Sequence, residues 1–327
     1  MNEERSGYIG GSDIGAIMGL GATYGGVTAT PFTVWQKKVG EAPEAMDPER
    51  RRFLDRRKRW EGPIFEMLQE EFKAEIVATN QRHRDTEHPF FACEIDFEWR
   101  DAALEGVQNG EIKTVHPWAY GERAGWGDAG TSDIPIHYAA QVMWGLGITR
   151  RRVCVVCAMV GLDNMIFYRV ERDEETIAAM RAKALEFWER YVIPKEPPPP
   201  QSSFDIDAML LRRRARPVEL DEATAAKLSE LQRLRSQMTA LRLAEEELEV
   251  DVGTYVLDRW GEPTADLAAP QAEDASIRAG GLVVATWKRG TKEFIDGRRL
   301  KAERPEVAAE FTKQTPFRVL RFVKQRT

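Results

Sequence analysis

The sequence predicts an α/β protein, with a central mixed sheet flanked by helices and then a C-terminal helical and small α+β extension. Three observations carry that expectation. Residues 91–114, FACEIDFEWRDAALEGVQNGEIKT, hold two adjacent candidate strands. Helical and strand patterns alternate from residue 1 to about 195. Beyond the proline run Pro197–Pro200 the pattern changes to long helical periodicity. At 327 residues the chain can bury one large core and a smaller one. The expected division is a first domain at 1–196, a Pro-rich and basic linker at 197–216 and an extension at 217–327.

The elements follow in order. Residues 12–18 and 31–39 read as short helices, the second with Thr30 as N-cap and Pro31 in its first turn. A longer helix spans about 48–73, where Glu61, Phe65, Leu68 and Phe72 recur at helical spacing and Pro63 marks a start or a kink. Phe91, Cys93, Ile95, Phe97 and Trp99 alternate with Ala92, Glu94, Asp96 and Glu98, which puts Asp96 on the side away from the apolar face. On the next strand Glu111 and Lys113 share a face. A turn at 101–106 would set Asp96 roughly opposite Glu111. A glycine- and aromatic-rich loop, HPWAYGERAGWGDAGTSD, then leads to a helix that Asp133 could cap, with Pro135 at its start and Tyr138, Gln141, Val142 and Gly145 on one side. Strands at 152–160 and 165–171 and a helix at 173–191 complete the unit. In the extension, Leu231, Leu234, Met238, Leu241 and Leu248 recur at a and d positions, with Glu245 breaking the series. That pattern suggests a helical hairpin or arm rather than a long coiled coil. The end reads as strand, helix, strand over 282–288, 298–312 and 317–324.

Composition narrows the function. Hydrophobic residues make up 43% of the chain, no run approaches a membrane span, and the first residues lack a signal-peptide pattern, so the cytoplasm is the expected compartment. Cys93, Cys154 and Cys157 cannot complete a four-cysteine metal site, and Cys154 and Cys157, three apart on a strand, should face opposite ways. A formal charge of −6 is unusual for a nucleic-acid binder, yet Arg50–Arg59 is densely basic and Arg150–Arg152 and Arg212–Arg214 add smaller clusters. These are compatible with phosphate contacts or with solvated helical faces. Two carboxylates beside an ammonium offer hard oxygen ligands for magnesium or manganese.

Six stretches, in order, carry a family resemblance: IGGSDIGAIMG at 9–19, TPFTVWQKKVG at 30–40, RKRWEGPIFEMLQEEF at 57–72, EID at 94–96, GEIKT at 110–114 and IPIHYAAQVMWGLG at 134–147. With these the first two hundred residues resemble the YqaJ family of phage recombination nucleases, related to lambda exonuclease and part of the PD-(D/E)XK, restriction-endonuclease-like superfamily. VVATWKRG and LKAERPEVAAEFTKQTPFRVLRF are similar to tails of phage members. The chain departs from the family at Glu61, which is followed by Gly-Pro where the family commonly has Pro directly.

The resemblance implies a restriction-endonuclease-like sheet. Asp96, Glu111, the carbonyl of Ile112 and Glu61 would hold two Mg2+ ions, with Mn2+ an alternative. Lys113 would orient or help deprotonate the attacking water, while Gln141 and Tyr138 would position the helix or contact the nucleophile or the DNA backbone. Ser12 and Arg5 match a pocket for a DNA 5′-phosphate, although an N-cap serine and an exposed arginine also fit those positions. The implied activity is 5′-to-3′ degradation of one strand of linear double-stranded DNA to mononucleotides, leaving a 3′ overhang for recombination. A phage or prophage origin, a ring-shaped homotrimer and a single-strand annealing partner of the RecT or Redβ kind are implied with it. Two other readings fit the residues: an endonuclease of the same superfamily, and a non-catalytic DNA-end-binding scaffold, against which the intact Asp96, Glu111 and Lys113 set argues. Trp118, Tyr120, Arg123 and Trp126 in the loop are candidates for stacking on unpaired bases or for anchoring the loop.

Overall fold

The computed structural model describes residues 5–21, 23–24, 27–41, 51–52, 55–56, 59–71, 75–100, 103–161, 163–259, 275–287, 295–312 and 320–321. The chain divides into two compact units, Met1–Arg212 and Arg213–Thr327.

The first unit is built on a five-stranded mixed sheet in the order β3-β4-β5-β6-β7. Its strands are β3 (Glu75–Arg84), β4 (Ala92–Arg100), β5 (Gln108–Val115), β6 (Val153–Val160) and β7 (Asn164–Glu171). Only β5 and β6 run parallel, so the chain must cross over between them, and it does so through a helix. A short ribbon, β1 (Thr23–Tyr24) with β2 (Val27–Thr28), lies near the N-terminus. The helices are α1 (Gly11–Ile17), α2 (Pro31–Lys38), α3 (Glu61–Glu71), α4 (Ile136–Thr149), α5 (Glu174–Phe187) and α6 (Ser203–Leu211). Thr30 caps α2 as expected, its hydroxyl accepting from Thr33 N at 3.2 Å. Pro63 lies in the first turn of α3, where a missing amide leaves no helical hydrogen bond unmade. Asp133 does not cap α4. That role falls to Pro135, because Asp133 belongs to the preceding loop, where its carbonyl accepts from Gly127 N at 2.9 Å. Asp205 of α6 is fully buried and accepts from Thr30 Oγ1 at 2.9 Å, which ties α6 to the start of α2.

Both faces of the sheet are covered. Ile9, Ile14, Phe32, Trp35, Cys93, Ile95 and Trp144 form one cluster beneath α1, α2 and α4. Cys154, Val156 and Ala158 pack with Val142, Leu146 and Ile177 of α4 and α5. On the other face Leu68 of α3 packs with Phe97, Trp99, Val153, Val155 and Cys157. Cys154 and Cys157 therefore face opposite ways, and β6, buried throughout, reads as an unbroken apolar run because it is sandwiched.

Two expectations are corrected. No strand was expected between the long helix and Phe91, yet β3 occupies that stretch as an edge strand, polar and largely exposed, so its sequence shows little alternation. The alternation from Phe91 to Trp99 does not mark one face. Cys93 and Ile95 pack under the helices on one side, whereas Phe97 and Trp99 pack against Leu68 on the other. The reversal falls at Asp96. The β3–β4 ladder pairs Gln81 with Ile95 and Thr79 with Phe97, and between them Asn80 adopts a left-handed φ of 50°. A covered sheet accepts apolar side chains on either face, so a local rotation here costs no apolar burial.

The second unit contains α7 (Glu222–Leu257), the hairpin β8 (Ala275–Ala279) with β9 (Leu282–Trp287), and helices α8 (Gly297–Glu303) and α9 (Pro305–Phe311). Where one helix over 298–312 was expected, Pro305 starts a second one after Arg304. Of the hairpin or arm expected, the arm is found: α7 is one continuous helix of 36 residues and not a hairpin. The strand expected at 317–324 lies largely outside the described residues.

Candidate active site

The β4–β5 ladder pairs Trp99 with Gln108, Glu98 with Asn109 and Phe97 with Gly110. One step further the same register sets Asp96 beside Glu111. Asp96 reaches across the gap, its Oδ2 accepting from Ile112 N at 2.8 Å. Glu111 and Lys113 pair with Val156 and Ala158 of β6, so both side chains emerge on the α4 side of the sheet. There Gln141 donates from Nε2 to Glu111 Oε1 at 2.6 Å and accepts from Lys113 Nζ at 3.1 Å. Lys113 Nζ also donates to Glu111 Oε1, which closes a triangle of charged and amide groups. The donors fix the amide: Lys113 can only donate and Glu111 only accepts, so Gln141 must turn Oε1 to the lysine. The Tyr138 ring lies 4.8 Å from Nζ.

Electrostatics hold the Lys113 ammonium charged. Burial pushes the Lys113 pKa down, but the carboxylates of Glu111 and Asp96 outweigh it and leave it above the ordinary lysine value. Burial and the Lys113 charge lower His137, so its imidazole is neutral at neutral pH. Burial raises the thiols of Cys154 and Cys93, the latter to about 12, which removes them as nucleophiles.

Glycines let the elements close on the site. A Cβ at Gly110 would lie 2.2 Å from the Phe97 ring, so the residue before Glu111 must be small. A Cβ at Gly11 would lie 2.9 Å from Gln141 Cγ, so the glycine pair of the N-terminal motif brings α1 against the residue that holds Lys113. Ser12 follows that contact. It is exposed in the first turn of α1 and is not the N-cap, which is Gly10; the Gly10 amide donates to Asp13 Oδ2 at 3.1 Å. The exposed Arg5 guanidinium lies 3.6 Å from Glu94, and its carbonyl accepts from the buried Lys38.

The structure thus brings together Asp96, Glu111, Ile112, Lys113, Tyr138 and Gln141. Glu61 opens α3, and its side chain lies outside the described residues. Of the loop residues, Trp126 is buried, and Tyr120 hydrogen-bonds Tyr168 at 2.7 Å beneath it, so these two anchor the loop. Trp118 is 91% exposed and Arg123 is exposed as well. One neighbouring network was not anticipated. Glu98 accepts from Arg151 at 3.0 Å and pairs with His83 at 2.6 Å, while Arg151 also donates to Asn109 Oδ1 at 2.9 Å. Arg151 therefore points inward, and the basic triplet that contains it is not wholly a surface cluster. Its only sequence signal is the acidic residue on β4 that needs a buried partner.

A separate cleft of about 390 Å³, lined by residues including Asp85, Arg150, Glu174 and Arg181, lies at the far end of α4 from Tyr138. Arg181 there is paired with Asp85 and Glu87, and Arg172 with Glu174, so the cleft is an ion-pair seam between elements.

Among the described residues no group of three His, Cys, Asp or Glu side chains is arranged to hold a metal ion. What the site does offer is two carboxylates on neighbouring strands and the main-chain carbonyl between Glu111 and Lys113, a donor set of oxygens that suits a hard divalent cation.

Comparison with known proteins finds a family match over the same part of the chain. Residues 2–152, a stretch that contains each of these site residues, match the YqaJ-like viral recombinase domain. The chain is similar to the uncharacterized protein YqaJ of Bacillus subtilis (strain 168), 24% identical over 329 residues that cover 96% of this chain and 91% of that protein. Among solved structures it is similar to the alkaline exonuclease LHK-Exo from Laribacter hongkongensis, with 16% identity, a TM-score of 0.41, and coverage of 58% of this chain and 90% of that one. SSO0001 follows with 13% identity, a TM-score of 0.31, and coverage of 57% and 77%. Residues 2–152 are thus similar to the YqaJ-like viral recombinase domain family.

Proposed function

We propose that this chain is a metal-dependent nuclease that degrades one strand of linear double-stranded DNA from a 5′-phosphorylated end, releasing mononucleotides and leaving a 3′ overhang for recombination. The observation that carries the reading is the Glu111–Lys113–Gln141 triangle, partly buried beside Asp96. A solvated sheet face would leave these groups apart. Here a helix from another part of the chain is spent on orienting them.

In the hydrolysis, water attacks phosphorus, the bond from phosphorus to the 3′ oxygen breaks, and that oxygen leaves with a proton. The next nucleotide keeps the 5′-phosphate, so each cut regenerates the starting end. Lys113 orients the water and offsets negative charge growing on the phosphoryl oxygens. Gln141 and the Tyr138 ring confine the ammonium to one position. Asp96, Glu111, the Ile112 carbonyl and Glu61 would hold two Mg2+ or Mn2+ ions, which supply charge stabilisation for the attacking and leaving oxygens. Ser12 and Arg5 would receive the terminal phosphate, Arg5 exchanging its Glu94 partner for it. The family resemblance also supports a homotrimer around DNA and delivery of the overhang to an annealing protein of the RecT or Redβ kind.

The test is digestion of linear duplexes with magnesium, comparing 5′-phosphorylated ends, 5′-hydroxyl ends and a closed circle. Mononucleotide release from the 5′-phosphorylated strand is the expected result. Cutting of the circle would indicate an endonuclease instead, and tight end binding without cleavage a scaffold.

A further inference from the structure

Helix α7 has no buried residue along its 36 positions and, among the described residues of its own unit, packs broadly against no other element. Trp287 of β9 approaches it near Gly253, and Arg235 donates to the Leu320 carbonyl at 3.2 Å. Yet one side carries Leu231, Leu234, Met238, Leu241, Leu248, Val252 and Tyr255 at alternating steps of three and four, with Glu245 the one polar member. Leu241 is 70% and Leu248 66% exposed. A heptad stripe over this length is a pairing seam, and what covers it is decided by charge.

The charges are split along the helix. Its first part holds Lys227, Arg233, Arg235 and Arg242 against Glu222 and Glu230, while its second holds Glu245, Glu246, Glu247, Glu249 and Asp251 with no basic residue before Leu257. A parallel copy would lay acid run on acid run and place Glu245 against its own equivalent in the seam. An antiparallel copy does the opposite. With Leu241 level with the partner's Glu245, every other layer falls into step: Leu231 with the partner's Tyr255, Leu234 with the partner's Val252, and Met238 with the partner's Leu248. Arg242 then flanks the partner's Glu245, and Arg235 lies near the partner's Glu249. The register that gives the break in the stripe a counter-ion is the one that fills all the other layers.

We propose that α7 is a self-association element, pairing antiparallel with α7 of a second copy of this chain about a twofold axis near Leu243. The inference does not depend on the nuclease reading, since no residue of the candidate site takes part.

The experiment is the particle mass of the full-length protein by sedimentation, with far-ultraviolet helicity as the folding control. Leu241→Glu should halve the mass, whether the larger particle is a pair of single chains or a pair of homotrimers joined through α7. Arg242→Glu should shift the equilibrium toward the smaller particle, and Arg242→Glu with Glu245→Arg should restore the larger one. Orientation is read by oxidative cross-linking, for which the native thiols are silent because Cys93, Cys154 and Cys157 are all buried. Ala244→Cys, close to the axis, should cross-link, and Met238→Cys should not. A mass unchanged by Leu241→Glu would overturn the proposal, as would cross-linking of Met238→Cys in place of Ala244→Cys.

Discussion

Helices α4 and α7 show what tertiary burial adds to a helix. Over its 14 residues α4 buries Ala140, Val142, Trp144, Leu146 and Ile148 between the sheet and neighbouring helices. Its rotation is therefore locked, and Tyr138 and Gln141 are delivered to Lys113 at fixed distances. By contrast α7 is more than twice as long and buries nothing; it is supported by its own hydrogen bonds, by local pairs such as Glu230–Arg233, and by Asp221, which accepts from Thr224 N at 2.7 Å. A helix embedded in a core can present a polar group with catalytic precision. An uncovered one offers only a surface.

The contrast can be broken at several points. Lys113→Ala removes the group that α4 exists to orient, and hydrolysis should fall ~10²- to 10³-fold while binding to DNA ends persists. Undiminished cleavage in that variant would refute the assignment. Leu146→Ala, at a fully buried position of α4, should destabilise the first unit by about 3 kcal/mol in thermal or denaturant unfolding.

Asp85 tests how the site-bearing unit is braced. It accepts from the Glu87 and His88 amides at 3.0 and 2.8 Å and is paired with Arg181 of α5. Burial alone would raise its pKa, but hydrogen bonds from Arg181 and those amides hold it below the ordinary 3.8. A group depressed in the folded state adds stability above its unfolded pKa, and that contribution is lost as pH falls through the folded value. Asp85→Asn should therefore cost ~1–3 kcal/mol at neutral pH and progressively less in acid. A constant difference down to pH 2 would count against the pairing.

Gly11→Ala presses on Gln141 Cγ, midway along a side chain whose amide is held by Glu111 and Lys113, so the amide should shift and the rate drop several-fold; an unchanged rate would show that Gln141 has room to spare. Leu248→Ala on α7 should leave unfolding of the first unit within ~0.5 kcal/mol of the parent, in contrast to Leu146→Ala.

Local patterns were enough to read much of this protein. Thr30-Pro31 opens a helix because a hydroxyl cap and a proline suit a first turn wherever they occur. β6 reads as a buried strand because apolar runs of that length have few alternatives. The Glu-Ile-Lys triplet declares two polar groups on one face, since strand periodicity is a property of the backbone alone. Other features were decided only when distant segments met. β3 is a strand because β4 offers it an edge, not because its residues prefer one. Asp96 sits where β4 changes face, a turn that costs nothing only because helices cover both sides of the sheet. Gln141 became part of the site through packing against Gly11, more than a hundred residues away in sequence. Periodicity is local and survives in the sequence, whereas the partner of a charge, the cover of a face and the neighbour of a glycine depend on chain closure across the whole fold.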